Sequence, residues 1–135
     1  MSLERFIDAQ ARVWPGPLEE VKAGSKKSHW MWFIFPQLRG LGQSAMAQRY
    51  GLADLNEARA YMAHPVLGPR LIEITRAMLT HAGQRPEAVL GPVDAMKLRS
   101  CLTLFQAAGG GAIFGEGLRV FYEVRPCEAT LTMIA

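Results

Sequence analysis

The sequence has few cysteines and no long apolar run, and each shortage excludes a class of protein. Only two of the 135 residues are cysteines, Cys101 and Cys127, and they are too far apart to form a metal-binding pair. The three histidines also lack the spacing of paired ligands, so we predict no metal site and no cofactor. The longest apolar run, Trp30–Phe35, has six residues, whereas a membrane-spanning helix needs about 20.

Acidic residues are missing from one long stretch of the chain. None lies between Glu20 and Asp54, and the same stretch contains five basic residues: Lys22, Lys26, Lys27, Arg39 and Arg49. The whole chain has a formal net charge of only +3, so its basic excess is concentrated there. If these side chains converge in the fold, they favour an anion. The alternative is that they are scattered and solvated.

The remaining composition is that of a folded globule. Apolar residues make up 50% of the chain and charged residues 20%, which excludes a disordered protein. The length suits one domain, and no repeat or linker divides it, so we predict a single domain over residues 1–135. The first residues lack the basic start and apolar run of a signal peptide. We therefore expect a cytoplasmic protein with reduced thiols.

Helical periodicity recurs along the chain between glycine and proline turns. Its clearest example is the set Leu67, Leu71, Ile74 and Met78, spaced by four, three and four residues. The longest helices are predicted over 65–82 and 92–108. Trp30–Phe35 fits either a strand or a helix, but no partner strand is evident, so we predict a buried helix capped near Ser28. The predicted fold is all-α, with about seven to nine short helices in one compact domain.

Three blocks of sequence carry a resemblance to a known family. They are KKSHWMWFIFPQLRGLGQS at 26–44, HPVLGPRL at 64–71 and DAMKLRSCLTLF at 94–105. The chain resembles the small bacterial domain-of-unknown-function 1810 family, some members of which are labelled "calpastatin". The resemblance implies a compact helical protein and brings no activity with it. The calpastatin label is physically inconsistent with this chain, because that inhibitor is disordered and polar.

The chain departs from the family pattern near its end. Val124 stands where the family usually has glycine, and Cys127 stands where it usually has aspartate. A cap or a site contribution made by that aspartate would be lost here. We therefore leave this tail out of the predicted site.

His29 is the first candidate for a functional side chain. Its ordinary pKa near neutrality suits a general acid, a general base or a donor to an anion. The alternative is a histidine that bonds to the backbone at a helix start. The neighbouring Trp30 and Trp32 are two residues apart, so on a helix at most one of them lines a pocket. Core packing is favoured for both.

Asp94 is the second candidate. On a helix it projects into the same stripe as Leu98 and Cys101, and a carboxylate on an apolar face needs a partner. One hypothesis is that Asp94 orients His29 or Lys97. The alternative is that it stabilises the first turn of its helix, where a negative charge is favourable.

The preferred hypothesis is a pocket for a phosphorylated or nucleotide-like anionic metabolite, with turnover left open. It gives catalytic roles to His29 and Asp94, and ligand-binding roles to Lys26, Lys27, Ser28, Trp30, Gln37, Ser44, Lys97 and Ser100. The Gln37 amide either reads the ligand or ties a turn. Ser44 can cap a helix and also bind phosphate. The alternative is a non-enzymatic module whose acid-free stretch contacts nucleic acid or an acidic protein. No membrane partner is predicted, and nothing indicates an oligomeric state.

Overall fold

The computed structural model describes residues 2–135, which form ten helices and no β-strand. The helices are α1 (Glu4–Ala11), α2 (Gly16–Lys22), α3 (Met31–Ile34), α4 (Ala45–Tyr50), α5 (Leu55–Ala63), α6 (Leu67–Leu79), α7 (Pro86–Leu90), α8 (Pro92–Ala107), α9 (Ala112–Tyr122) and α10 (Glu128–Ile134). The all-α prediction is confirmed, and seven of the ten helices span seven residues or more. None of the helices in the described part of the chain has the length and apolar content that crossing a membrane requires.

The 16-residue α8 lies at the centre of the fold. It packs against α5, α7, α9 and α10. It buries Leu98 and Cys101 of the predicted stripe, and with them Leu102 and Phe105. Gly91, with a φ of 85°, makes the turn between α7 and α8. Because α8 is surrounded on most sides, only its outer edge remains to form a surface site.

The second longest helix is α6, with 13 residues, and its predicted stripe is also buried. It packs against α2, α5 and α9. The α5–α6 contact is so close that a Cβ atom added at Gly68 would lie 2.1 Å from the carbonyl oxygen of Met62. This position therefore requires glycine.

Aromatic rings connect these helices across the core. Phe6 meets Tyr61 edge-on with 5.1 Å between ring centroids, and Tyr61 lies 5.5 Å from Phe105. The buried side chain of Gln10 donates to the carbonyl oxygen of Phe33 at 2.8 Å and to the Tyr61 hydroxyl at 3.0 Å. These bonds satisfy the polar groups that the packing encloses.

The predicted helix over Trp30–Phe35 forms, but it is shorter than expected. It covers Met31–Ile34, with Trp30 at the N-cap position and no side-chain cap, so the predicted cap near Ser28 is wrong. Ser28 donates its hydroxyl hydrogen to Glu20 instead. After α3, a parallel bridge between Leu38 and Leu52 fixes the chain, and the backbone N–H of Leu52 donates to the carbonyl oxygen of Gln37 at 2.9 Å.

Candidate functional site

The two segments predicted to form the site meet through a salt bridge. Lys26 Nζ lies 2.9 Å from Asp94 Oδ2, and Lys97 Nζ lies 3.7 Å from Asp94 Oδ1. The Lys26 side chain is only 8% exposed and that of Asp94 18%. Lys26 also donates to the carbonyl oxygen of Ser28 and lies 4.8 Å above the Trp30 ring. The carboxylate on the apolar face of α8 thus has its partner, and the charge of Lys26 is already balanced.

Glu20 on α2 holds the rest of the Lys26–Trp30 segment. Its carboxylate accepts four hydrogen bonds: from the backbone N–H of Lys27 at 2.7 Å, the backbone N–H of Ser28 at 3.0 Å, the Ser28 hydroxyl at 2.7 Å and the Trp30 indole N–H at 3.0 Å. Burial alone would raise the pKa of Glu20, but these donors together lower it to about 2. Glu20 was not identified from the sequence.

The other predicted residues of this segment differ in how far they are exposed to solvent. Trp30 is 1% exposed and belongs to the core, so its ring is not open to a ligand. Lys27, Ser28 and His29 are exposed. His29 makes no hydrogen bond or ion pair with any residue from 2 to 135. Of the two partners predicted for Asp94, Lys97 is in contact and His29 is not. The catalytic roles of His29 and Asp94 stay predictions.

A groove of about 500 Å³ opens on the other side of Lys97, between the outer edge of α8, the start of α10 and the loop after α3. We call it the α8–α10 groove. Its lining includes the apolar side chains Leu41, Val93, Met96 and Pro126 and the polar side chains Gln37, Lys97, Arg99, Ser100, Cys127 and Glu128. The groove thus contains three of the predicted ligand-binding residues: Gln37, Lys97 and Ser100.

Several polar groups of the groove lack partners inside the protein. The side-chain amide of Gln37 makes no hydrogen bond within residues 2–135. Arg99 uses Nε to donate to the carbonyl oxygen of Arg125 at 2.8 Å, and its guanidinium carbon lies 5.7 Å from the centre of the Tyr122 ring. Its Nη groups have no hydrogen-bond partner in the same part of the chain. Lys97 and Arg99 line the groove together with one carboxylate, that of Glu128. The side chains that line the groove therefore carry a net positive charge and include hydrogen-bond donors that are not used inside the described chain.

A smaller cavity adjoins the groove and shares Gln37 and Lys97 with it. Its walls include the aromatic rings of Trp32, Phe35 and Tyr50. Lys97 Nζ lies 5.0 Å above the Trp32 ring. Of the two tryptophans in the aromatic run, Trp32 lines a cavity and Trp30 does not, as the two-residue spacing allows.

Ser44 lies outside both cavities. Its hydroxyl oxygen accepts from the backbone N–H of Ala47 at 3.1 Å and caps α4, which confirms the predicted N-cap. The side chain is exposed, and its predicted role in ligand binding stays a prediction.

Ser100 on α8 contacts Cys127, the N-cap residue of α10, where the two helices that border the groove meet. The Ser100 hydroxyl lies 3.3 Å from Cys127 Sγ and 3.2 Å from the carbonyl oxygen of Met96. The backbone N–H of Cys127 donates to Thr103 Oγ1 at 2.8 Å. Sequence reasoning set Cys127 aside and overlooked Arg99. The signal for this face was the stripe Val93, Met96, Lys97 and Ser100, which follows helical spacing beside the apolar stripe.

Metal-ligating side chains are not clustered in the described chain. Residues 2–135 contain no group of three or more histidine, cysteine or acidic side chains placed to hold a metal ion. Cys101 and Cys127 are both free thiols.

Comparison with known proteins gives one family and one close structural relative. Residues 1–134 match the family model described as "Protein of unknown function (DUF1810)". The crystal structure of the conserved hypothetical protein Rv1873 from Mycobacterium tuberculosis superposes with a TM-score of 0.95. That protein is 44% identical, and the match covers 98% of this chain and 95% of the mycobacterial chain. No curated protein matches this chain.

Proposed function

Since the chain belongs to the DUF1810 family, whose description names no activity, we propose a function from its own residues: the α8–α10 groove binds a small metabolite that carries a phosphate or a similar anionic group. The proposal concerns binding. The observation that carries it is the convergence of Lys97, Arg99 and Gln37 on one concave surface, where two of the three have donors without a partner in the described chain.

Charge supports an anionic ligand. Lys97 is 3.7 Å from Asp94, which is longer than a tight ion pair, so an incoming anion can compete for its ammonium group. Arg99 presents Nη groups that suit a bidentate bond to phosphate or carboxylate oxygens. Within a concave site, such donors bind an anion more strongly than they do on an open surface.

The apolar walls support a ligand with a ring or a hydrocarbon portion. Val93 and Met96 are 65% and 72% exposed, and they line the groove together with Leu41. Trp32 lies in the adjoining cavity under Lys97, where a planar ring could stack. A nucleotide-like or sugar-phosphate ligand combines both requirements.

The alternative, a nucleic-acid-binding module, draws less support from the acid-free stretch. Lys26 is paired with Asp94, and Arg39 donates to the carbonyl oxygens of Gln48 and Gly51. Arg49 lies over the Tyr50 ring. Of the cations in this stretch, Lys22, Lys27 and Arg49 are exposed, and three exposed cations make a weak electrostatic surface for a polyanion.

A thermal-shift experiment with nucleotides and sugar phosphates tests the proposal. A ligand that binds only the folded state raises the melting temperature in proportion to the logarithm of its concentration above Kd. We expect such a rise for at least one anionic compound. Lys97→Gln, Arg99→Gln and Gln37→Ala should each reduce it.

Lys27→Gln and His29→Ala are the matched controls, because both side chains are exposed and lie outside the groove. They should leave the rise unchanged. If they abolish it while the groove variants do not, the ligand sits against the Lys26–Trp30 segment and the proposal is wrong. Binding of single-stranded or duplex nucleic acid, with no response to any small anion, would support the alternative.

A further inference from the structure

The α8–α10 groove contains one nucleophilic side chain, the thiol of Cys127. Cys127 lines the groove and is partly exposed, whereas Cys101, on the buried face of α8, is fully enclosed. In the folded protein, a reagent in solution can therefore reach the thiol of Cys127 but not that of Cys101. This contrast makes Cys101 an internal reference for Cys127.

The Ser100 hydroxyl is placed to donate to Cys127 Sγ. The distance is 3.3 Å, and Ser100 itself is only 7% exposed, so little water competes for its hydrogen. The same hydroxyl also lies 3.2 Å from the carbonyl oxygen of Met96. A thiolate accepts a hydrogen bond more strongly than a thiol does, so ionisation of Cys127 would draw this hydrogen towards the sulfur.

Thr130 provides a second, independent observation. Its side chain is fully buried, and Oγ1 has no hydrogen-bond partner of normal geometry among residues 2–135. This hydroxyl is one of the groups that lower the pKa of the Cys127 thiol. A buried donor without an acceptor is unfavourable, and ionisation of Cys127 would supply the acceptor that Thr130 lacks.

The charged groups around the groove have a positive balance. Lys97 and Arg99 on α8 and Glu128 on α10 all line it with Cys127. Asp94 lies 3.7 Å from Lys97 on the same helix, and its charge is balanced by Lys26 at 2.9 Å. Burial alone would raise the pKa of the Cys127 thiol. The hydroxyls of Ser100 and Thr130, together with the backbone N–H groups of Thr130 and Ala129, outweigh burial and lower the pKa below its ordinary value. For Cys101, burial raises the pKa.

We propose that Cys127 is a site of covalent modification, oxidised by hydroperoxides that enter the α8–α10 groove. The thiolate sulfur attacks the terminal oxygen of the peroxide, so that an S–O bond forms and the O–O bond breaks. The leaving alkoxide or hydroxide takes a proton from water. Sulfur loses two electrons and becomes a sulfenic acid, and the peroxide is reduced to an alcohol or water. The proposal does not depend on a bound metabolite.

The first test measures alkylation of the folded full-length protein by iodoacetamide as a function of pH, with peptide mass spectrometry to assign each thiol. Cys127 should react with a midpoint below that of glutathione measured in parallel. Cys101 should stay unmodified until the protein is unfolded. A Cys127 midpoint at or above that of glutathione would overturn the proposal.

The second test asks whether the hydroxyls act on the sulfur. Ser100→Ala should slow alkylation at neutral pH by about three- to tenfold, the size expected from one hydrogen bond. Thr130→Val keeps the shape of the side chain and removes the unpartnered hydroxyl. It should raise the Cys127 midpoint without lowering the melting temperature, a combination that a purely structural role would not produce. Unchanged midpoints in both variants would contradict the proposal.

The third test is the oxidation itself. After exposure to a stoichiometric amount of hydrogen peroxide, dimedone should label Cys127 in the wild type and label nothing in Cys127→Ser. Labelling of Cys101 alone, or no labelling of a protein whose Cys127 is readily alkylated, would refute the hydroperoxide step. The metabolite-binding proposal would be unaffected by either result.

Discussion

Two polar regions flank Asp94, and they differ in whether their hydrogen-bonding groups already have partners. In the Lys26–Trp30 segment, Glu20 accepts four bonds and Lys26 is tied to Asp94 and Ser28. In the α8–α10 groove, the side-chain amide of Gln37 and the Nη groups of Arg99 have no hydrogen-bond partner within the described chain. Lys26, next to the aromatic run, therefore helps to hold the fold together. Unused hydrogen-bond donors remain in the α8–α10 groove, which is where we propose that a ligand binds.

Of the substitutions that test this comparison, Lys26→Ala should change the free energy of unfolding most. It removes a nearly buried cation and leaves Asp94 with only the longer contact to Lys97. We expect the free energy of unfolding to fall by about 3 kcal/mol, the lower end of the range for a buried pair that loses one member. Urea denaturation measures this loss.

Lys27→Ala is the matched control for Lys26→Ala, because the neighbouring lysine is exposed and contributes only its backbone N–H to the segment. Its effect should stay within about 0.5 kcal/mol. Equal losses for the two variants would mean that the Lys26–Asp94 pair does not hold the segment to α8.

Glu20→Gln should have the next largest effect. The amide keeps one acceptor oxygen but places an NH₂ group among donors, so we expect a loss of about 1–2 kcal/mol at neutral pH, allowing for partial exposure. The folded-state pKa of Glu20, about 2, is below the ordinary value of 4.5. The stabilisation that the ionised Glu20 carboxylate gives to the folded state is therefore fully present above pH 4.5 and is lost as the pH falls towards 2.

The pH dependence gives a sharper test of the Glu20 contacts than the loss at neutral pH. The difference between wild type and Glu20→Gln in denaturation experiments should shrink steadily from pH 5 to pH 2. Glu19→Gln, on the exposed side of the same helix, is the control. It should change neither the free energy of unfolding at neutral pH nor its dependence on pH. A difference that stays constant with pH would show that the carboxylate charge is not what holds the segment.

Val124→Gly should have the smallest effect, and in the opposite direction. Glu123 and Val124 have φ angles of 54° and 56°, in the left-handed region that disfavours residues with a Cβ atom. Val124 is 66% exposed, so its removal costs little packing. We expect glycine to raise the free energy of unfolding by about 1 kcal/mol.

The equally exposed Val93 is the matched control for Val124, because it lies in the first turn of α8 with helical geometry. Val93→Gly should lower stability slightly, since glycine is a poorer helix former than valine. If both glycine variants are destabilising, the left-handed turn before α10 is not strained by Val124.

Local patterns in the sequence predicted most of the fold. The periodic apolar stripes of α6 and α8 and the cap at Ser44 depend on residues within a turn of each other, and the structure confirms them. The cap near Ser28 was wrong because the hydroxyl is used by Glu20, eight residues earlier, through a contact between α2 and a loop. No local pattern encodes that contact.

The site was predicted less completely for the same reason. Lys97, Ser100 and Gln37 were identified as candidates, and the structure places them together in the α8–α10 groove. Arg99 and Cys127 were missed, since the approach of α10 to the outer edge of α8 is a long-range contact. Of the two partners considered for Asp94, Lys97 is in contact and His29 is not, because Lys26, on the same segment as His29, reaches the carboxylate instead.

The arrangement of the tryptophans has a practical consequence for spectroscopy. Each of the three rings lies under a different cation: Trp14 under Arg70 at 5.0 Å, Trp30 under Lys26 at 4.8 Å and Trp32 under Lys97 at 5.0 Å. Biosynthetic 5-fluorotryptophan would give three ¹⁹F NMR resonances, each sensitive to its own cation. An anion that draws Lys97 away from Trp32 would move one resonance and leave two in place, so the protein carries its own reporter for the groove and its own internal references.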